Sequence, residues 1–213
     1  MDQKFQNAIS LFQTGKFDKA KEICLEIIKI EPRNFDVIHL LGIIFFQTNN
    51  LNKSAELIEK ALKINPDSAE ANNNLCIVFK KLKKLELALK HVNIAIKIDP
   101  NYSDAYNNLG TILIDFNRFD DALLNFNKAI NINPNYAEPY NNISNIMNKL
   151  RNFDEALKNS NKAIEINPNF AEAYNSRSYI LKELNLFNKA LEDCNKAIKI
   201  SPNYSDAYNN KGI

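Results

Sequence analysis

The chain has 213 residues, of which 45% are hydrophobic and 24% charged, and its formal net charge is +2 at pH 7. This composition is typical of a soluble globular protein, and the length suffices to bury a substantial core. The near balance of charge gives no electrostatic reason to expect a nucleic-acid partner or an anionic membrane surface.

The N-terminal segment predicts no export signal, since residues 1–16 contain neither an apolar core nor a small-residue cleavage site. The longest apolar stretch, residues 37–46, is too short to cross a bilayer. Cys24, Cys76 and Cys194 each occupy a position where the helical pattern predicts a small buried residue. Because they are odd in number and widely spaced, we expect reduced thiols in the core. With only two histidines besides them, no metal-ligand spacing is present. We therefore expect a cytoplasmic protein without metal, cofactor or catalytic residues.

A period of 34 residues organises the chain. Six of the seven prolines follow it: Pro32, Pro66, Pro100, Pro134, Pro168 and Pro202. A fixed period in this range predicts a repeat architecture. The predicted units are residues 1–34, 35–68, 69–102, 103–136, 137–170 and 171–204, with a partial unit at 205–213.

Each unit contains two helical patterns. In the unit 103–136, apolar or small residues from Tyr106 to Leu113 recur at helical spacing, and a second stripe runs from Ala122 to Ile130. Position 15 is Gly or Asn in four of six units, and these residues best tolerate the left-handed conformation that ends a helix. The periodic proline stops the second helix. Small residues at positions 8, 20 and 27 predict close helix crossings.

The period, the small residue at position 8, the alanines at positions 20 and 27 and the proline at position 32 resemble the tetratricopeptide repeat family over the whole chain. The resemblance implies an all-α fold, a right-handed superhelix (α-solenoid) of six helix–turn–helix repeats with one extra C-terminal helix. First helices would line a concave groove, and second helices would form the convex side. A repeat array of this kind has no active-site cleft of its own, so we expect no enzyme activity.

Asparagine pairs mark the predicted groove. Positions 2, 5, 6, 9, 12 and 13 share one face of each first helix, and in the family this face lines the groove. A side-chain amide offers both donors and an acceptor, so it can pair with the main chain of an extended peptide. Residues 70–76 and 104–110 resemble the asparagine ladder of O-linked N-acetylglucosamine transferase. The candidate ligand-binding residues are Asn73, Asn74, Asn107, Asn108, Asn141, Asn142, Asn145, Asn175, Asn209 and Asn210.

The polar residues of this face do not require a ligand to account for them. Asparagine is also frequent on second helices, which a coding bias toward this residue would explain. The family's clamp for chaperone tails is absent, because its Lys and Arg positions hold Asn or acids here. Acids at position 2 would line the groove, but acids in a first turn also interact favourably with the helix dipole. They are Glu70, Asp104, Glu138, Glu172 and Asp206.

The first two units carry an apolar version of the same face. Residues 8–62 resemble the opening of bacterial arrays that precede a glycosyltransferase or sulfotransferase domain. An apolar patch in a groove marks a partner or self-association surface, which would give a homodimer, unless the residues pack on one another. The patch consists of Phe5, Ile9, Phe12, Leu40, Ile43 and Phe46.

Three functions follow as hypotheses. The first is a protein–protein interaction module that binds an extended polypeptide in the groove. The alternatives are the substrate-recognition arm of a larger glycosyltransferase or sulfotransferase, and a self-associating scaffold. Because the sequence stops nine residues into a seventh unit, we also expect a longer natural protein.

Overall fold

The computed structural model describes residues 2–212, which form thirteen α-helices and no strand. This confirms the predicted all-α class. The first helices of the units are α1 (Asp2–Gln13), α3 (Phe35–Gln47), α5 (Ala69–Lys81), α7 (Ser103–Asp115), α9 (Ala137–Lys149) and α11 (Ala171–Glu183). The second helices are α2 (Phe17–Ile30), α4 (Leu51–Leu62), α6 (Leu85–Ile98), α8 (Phe119–Ile132), α10 (Phe153–Ile166) and α12 (Phe187–Ile200). Helix α13 (Ser205–Lys211) begins the partial unit.

The helices group into two compact units, Met1–Asp115 with α1 to α7 and Phe116–Ile213 with α8 to α13. Inside each unit, every helix packs against the next one along the chain. First helices also contact each other, α1 with α3, α3 with α5, α5 with α7, and then α9 with α11 and α11 with α13. Each unit therefore places its first helices side by side. That residues 1–213 form a single array stays a prediction.

The turn between the two helices of a repeat has the same backbone conformation in all six repeats. Gly15 has a φ of 73°, and Asn49, Asn117 and Asn185 have φ values of 59°, 58° and 61°, which confirms the left-handed turn predicted there. Lys83 and Arg151 adopt the same conformation, each with a φ of 59°, although their types do not predict it. Side chains with a Cβ are uncommon in this region, so these two turns are imposed by the packing of their helices.

Four of the six loops that lead into a new repeat contain an asparagine or aspartate that forms a local hydrogen bond. The side-chain oxygen of the residue before the proline accepts a hydrogen bond from the main-chain N–H two residues later. The distances are 2.9–3.3 Å for Asn65, Asp99, Asn133 and Asn167. Part of the asparagine content therefore serves the repeat turns.

The residues predicted at close helix crossings are buried in all six complete repeats. Gly42 illustrates the reason, because a Cβ at this position would lie 2.6 Å from Ile58 Cγ1. Only a very small residue lets α3 approach α4 this closely. The buried alanines of the three small-residue positions are Ala8, Ala20, Ala61, Ala88, Ala95, Ala122, Ala129, Ala156, Ala163, Ala190 and Ala197.

The three cysteines are buried free thiols, as the sequence predicts. Burial raises the pKa of Cys24 to about 11. Burial also raises the pKa of Cys76 to about 12, against a smaller opposite effect of Lys80. Both thiols therefore stay protonated at neutral pH and act as small apolar packing groups.

Candidate functional site

The two asparagines of each first-helix pair have different environments. The position-5 asparagine is buried in the repeats 69–102, 103–136 and 137–170, half-buried in the repeat 171–204 and exposed in the partial unit 205–213. The position-6 asparagines are all half-buried. Asn73, Asn107 and Asn141 are buried, Asn74, Asn108, Asn142, Asn175 and Asn210 are half-buried, and Asn145 and Asn209 are exposed.

In the first compact unit, asparagines of successive repeats are hydrogen-bonded to each other. Asn108 at position 6 donates its amide Nδ2 to Oδ1 of Asn73, at position 5 of the preceding repeat, over 2.8 Å. Asn73 in turn donates its Nδ2 to the phenol oxygen of Tyr102 at 3.4 Å. We call the contact between position 6 of one repeat and position 5 of the repeat before it a cross-repeat pair. It links neighbouring first helices through side chains.

The same arrangement recurs in the second compact unit. Asn210 donates its Nδ2 to Asn175 Oδ1 at 2.8 Å, and Asn175 donates to the phenol oxygen of Tyr204 at 3.3 Å. Tyr102 and Tyr204 both occupy position 34, so each tyrosine lies in the loop that leads into the next first helix. Burial, followed by nearby carboxylates, raises the pKa of Tyr102 to about 12 and also raises that of Tyr204. Both phenols therefore stay neutral.

His39 takes the place of a position-5 asparagine in the second repeat. Its Nε2 lies 3.1 Å from Asn74 Nδ2, at position 6 of the third repeat. Burial lowers the pKa of His39, against smaller opposite effects of Glu70 and Asp36. The neutral imidazole is therefore favoured, and its Nε2 can accept the amide hydrogen. At the junction of the second and third repeats, the imidazole of His39 therefore replaces the position-5 amide in the cross-repeat pair.

The junction between the repeats 137–170 and 171–204 lacks the pair although its position-5 residue is an asparagine. The buried Oδ1 of Asn141, at position 5, makes no hydrogen bond to any residue in the range 2–212. At this junction, position 6 of the next repeat is Ser176 and position 34 is Phe170, so both partners seen elsewhere are replaced. A buried acceptor without a donor costs about 1–3 kcal/mol. This junction is therefore weaker than those that carry Asn or His pairs.

Restoring the missing donor tests this interpretation. We expect Ser176→Asn to raise the free energy of unfolding by about 1 kcal/mol, because its Nδ2 can reach Asn141 Oδ1 as Asn108 reaches Asn73. Urea denaturation measures the change. Ser10→Asn, at an exposed site on α1, is the matched control and should be nearly neutral, since Ser and Asn have similar helix propensities. Equal stability of the two variants would contradict the pairing argument.

The cross-repeat pair leaves part of the Asn108 amide available. Asn108 uses one amide hydrogen on Asn73 and makes no other side-chain hydrogen bond within residues 2–212. Its Oδ1 and its second amide hydrogen therefore remain for another partner. Because the pair fixes the direction of the amide plane, this acceptor and donor are held in a set orientation.

The acids at position 2 lie beside these pairs. All five are exposed and stand in the first turn of their helices. Asp104 and Glu70 contribute to the raised pKa of Tyr102, and Glu172 and Asp206 do the same for Tyr204. They therefore act on the helix termini and also set a negative potential next to the amides.

The apolar patch of the first two repeats is largely packed. Leu40 is buried, and Phe5, Ile9 and Phe12 are half-buried against the core cluster that contains it. Ile43 and Phe46 instead line a small hollow together with Asn74 and Ile77. The patch thus divides into a packed part around α1 and an open part between α3 and α5.

Tyr102 and Tyr204 were not predicted from the sequence, and neither was His39 as the equivalent of a position-5 asparagine. A signal was available at position 34, where three of six repeats have tyrosine: Tyr102, Tyr136 and Tyr204. A tyrosine in a polar turn needs a partner for its phenol oxygen when it is partly buried.

Neither a membrane span nor a metal cluster is found within residues 2–212. None of the helices in this range combines the length and apolar character needed to cross a bilayer. No group of three or more His, Cys, Asp or Glu side chains there is arranged to hold a metal ion.

Models of the tetratricopeptide repeat match four segments of the chain, residues 4–73, 103–136, 125–158 and 171–204. No curated protein matches it.

Several solved structures are similar to this chain. PilF of Pseudomonas aeruginosa is 18% identical, with 99% of this chain and 96% of that chain covered and a TM-score of 0.82. PilW, a type IV pilus biogenesis factor, is 19% identical, with 98% and 96% covered and a TM-score of 0.84. YrrB, which has an unusual peptide-binding site, is 22% identical, with 89% and 98% covered and a TM-score of 0.59. At these identities the likeness concerns the fold.

Proposed function

Because the chain belongs to the tetratricopeptide repeat family, we propose that its first-helix face binds an extended polypeptide of a partner protein. The position-6 asparagines contact the main chain of that polypeptide. The observation that carries this proposal is the amide of Asn108, which keeps one donor and one acceptor after pairing with Asn73.

The spacing of the amides suits an extended chain. Packed helices lie about 8–10 Å apart, and an extended peptide advances about 3.3 Å per residue. One position-6 amide would therefore meet about every third residue of the ligand. Main-chain contacts of this kind bind without selecting a particular sequence. The peptide-binding site of YrrB, a protein of similar fold, supports this use of the fold.

The position-5 residues act as positioning residues in this proposal. Asn73 and His39 are buried, and they accept hydrogen bonds from the amides of Asn108 and Asn74 respectively. These bonds fix the orientation of the two position-6 amides. The two members of each asparagine pair thus have separate roles. Position 5 joins the repeat to the next one, and position 6 offers its free donor and acceptor to the ligand.

Peptide binding by an alanine variant tests the proposal. An array of unstructured, fluorescein-labelled peptides of varied sequence supplies the probes, and anisotropy measures the dissociation constants. We expect the double variant Asn74→Ala, Asn108→Ala to bind at least about tenfold more weakly, since each lost hydrogen bond contributes about 1 kcal/mol. The free energy of unfolding of the double variant is measured beside it to show that it is folded.

The matched control removes two asparagines from second helices. Asn93 and Asn127 are exposed on α6 and α8, so Asn93→Ala with Asn127→Ala should bind the peptides like the unaltered protein. Unchanged affinity in the first-helix double variant would overturn the proposed role of position 6. Equal losses in both double variants would also overturn it.

A further inference from the structure

Two adjoining hollows lie on the first-helix face of the first compact unit. The first is apolar and partly open to solvent, with a volume of about 220 Å³ when the open part is included, and it is lined by Ile43, Phe46, Ile58, Asn74, Ile77 and Val78. The second is larger, about 980 Å³ and open to solvent, and its lining includes Ile77, Lys80, Lys81, Lys83, Asn108 and Thr111. Ile77 lines both, so a single ligand can enter the two together. Each also contains a position-6 asparagine.

The larger hollow has an excess of positive charge. Its three lysines face one carboxylate, Asp115, whose Oδ2 lies 3.8 Å from Lys80 Nζ. Burial lowers the pKa of Lys80, against a smaller opposite effect of Asp115. The ammonium group of Lys80 is therefore poorly hydrated, and Asp115 neutralises its positive charge only in part. Lys81 and Lys83 are exposed, and no carboxylate within residues 2–212 forms an ion pair with either one. A second anionic group would reduce the remaining excess of positive charge in this hollow.

The smaller hollow is suited to an aliphatic side chain. Five of its six lining residues are apolar, and Asn74 is at its polar edge. Lys81 Nζ lies 4.6 Å from the centroid of the Phe46 ring, so a lysine that lines the basic hollow contacts a residue that lines the apolar one. An apolar side chain in the first hollow would thus stand directly beside the lysines of the second.

We propose that these two hollows together bind a partner segment in which an aliphatic residue is followed two positions later by Asp or Glu. Side chains two residues apart point to the same side of an extended peptide and are about 7 Å apart. The aliphatic side chain enters between α3 and α5, and the carboxylate pairs with Lys81 and Lys83 between α5 and α7. This inference rests on the proposed function, because Asn74 and Asn108 hold the main chain of the same segment.

Synthetic peptides with both ends blocked test the proposal. The reference peptide carries Leu-Ala-Glu within a Gly-Ser chain, and the comparison peptides carry Leu-Ala-Gln, Ser-Ala-Glu or Leu-Glu-Ala. Chemical shifts of the isotope-labelled protein give the affinities. We expect each comparison peptide to bind at least fivefold to tenfold more weakly than the reference, about 1 kcal/mol or more per lost contact.

Lysine variants of the protein test whether the Glu carboxylate of the peptide binds at Lys81 and Lys83. Lys81→Gln with Lys83→Asn removes two charges, and Asn suits the left-handed turn that Lys83 occupies, as it does at Asn49. With this variant the Glu and Gln peptides should bind equally. Lys63→Gln with Lys97→Gln, at exposed lysines outside both hollows, should keep the preference for Glu.

The outcomes separate this inference from the proposed function. If the Glu and Gln peptides bind equally to the unaltered protein but depend on Asn74 and Asn108, the acidic site is wrong and main-chain binding stands. If the Glu preference exists without dependence on the asparagines, main-chain binding by position 6 is wrong. If a peptide binds only when its C-terminal carboxylate is left unblocked, the hollow binds a chain terminus and the inference is wrong. If none of the peptides binds, both the inference and the proposed function are wrong.

Discussion

Replacing Arg177 by methionine should lower the free energy of unfolding by about 3–5 kcal/mol. Arg177 Nε and Nη2 each lie 2.7 Å from a carboxylate oxygen of Asp193, and Nη1 lies 2.7 Å from Asn161 Oδ1. The Asp193 side chain is only 8% exposed. Without the guanidinium this carboxylate stays buried and unpaired, which is the source of the loss. Urea denaturation measures it.

Two further variants show whether burial of Asp193 is the cause. Arg118 forms an exposed pair with Asp121 at 2.7 Å, so Arg118→Met should cost less than about 1 kcal/mol. Combining Arg177→Met with Asp193→Leu removes the unpaired charge and should recover most of the lost stability. If the two arginine variants were equally stable, burial of the carboxylate would not be what makes Arg177 important.

Replacing Gly42 by valine should cost about 3 kcal/mol, because the site has no room for a side chain. The Cβ would lie 2.6 Å from Ile58 Cγ1 and 3.4 Å from the main-chain atoms Ile58 N and Ser54 O. Helices α3 and α4 would have to separate. Since Ile58 also lines the apolar hollow, the change should alter that hollow as well. Thermal or urea denaturation gives the stability.

Gly212 is the matched control for this change. It occupies the same repeat position, but a Cβ there would come no closer than 3.5 Å to its neighbours, which belong to its own helix turn. Gly212→Val should therefore stay within about 0.5 kcal/mol of the unaltered protein. Similar losses at the two glycines would mean that contact between α3 and α4 does not explain the need for a small residue.

The fold could be predicted because its determinants are local and repeated. The 34-residue spacing of prolines such as Pro66 and Pro100 fixes where each second helix ends, and small residues such as Ala88 mark the crossings. Each signal is repeated in several units, so an exception in one does not hide it. The left-handed turns at Lys83 and Arg151 could not be read from their types, because tertiary packing imposes them.

The cross-repeat pairs could not be predicted from one helix. Asn108 and Asn73 are 35 residues apart, one more than the period, and so are Asn210 and Asn175. Only the side-by-side placement of first helices brings position 6 of one repeat to position 5 of the repeat before it. The helical periodicity placed both positions on the predicted groove face, but it could not tell which of the two would be covered by a neighbour.

The half-buried Arg177 and its pair with Asp193 could not be predicted from the sequence either. Position 7 holds Leu41, Leu75, Leu109 and Ile143 in the second to fifth repeats, so the pattern predicts an apolar packing residue. Its substitution by arginine is compensated by Asp193 on the second helix of the same repeat, 16 residues later. A change that occurs once gives no repeated signal.

The most direct test of peptide binding by position 6 follows the side-chain amide resonances of the isotope-labelled protein while the tightest-binding peptide of the array is added. We expect the Asn74 and Asn108 amides to shift with saturation, because they contact the ligand's main chain. The Asn73 amide, buried behind Asn108, should move much less. Position-6 amides that stay unchanged while the peptide binds would contradict the proposed function.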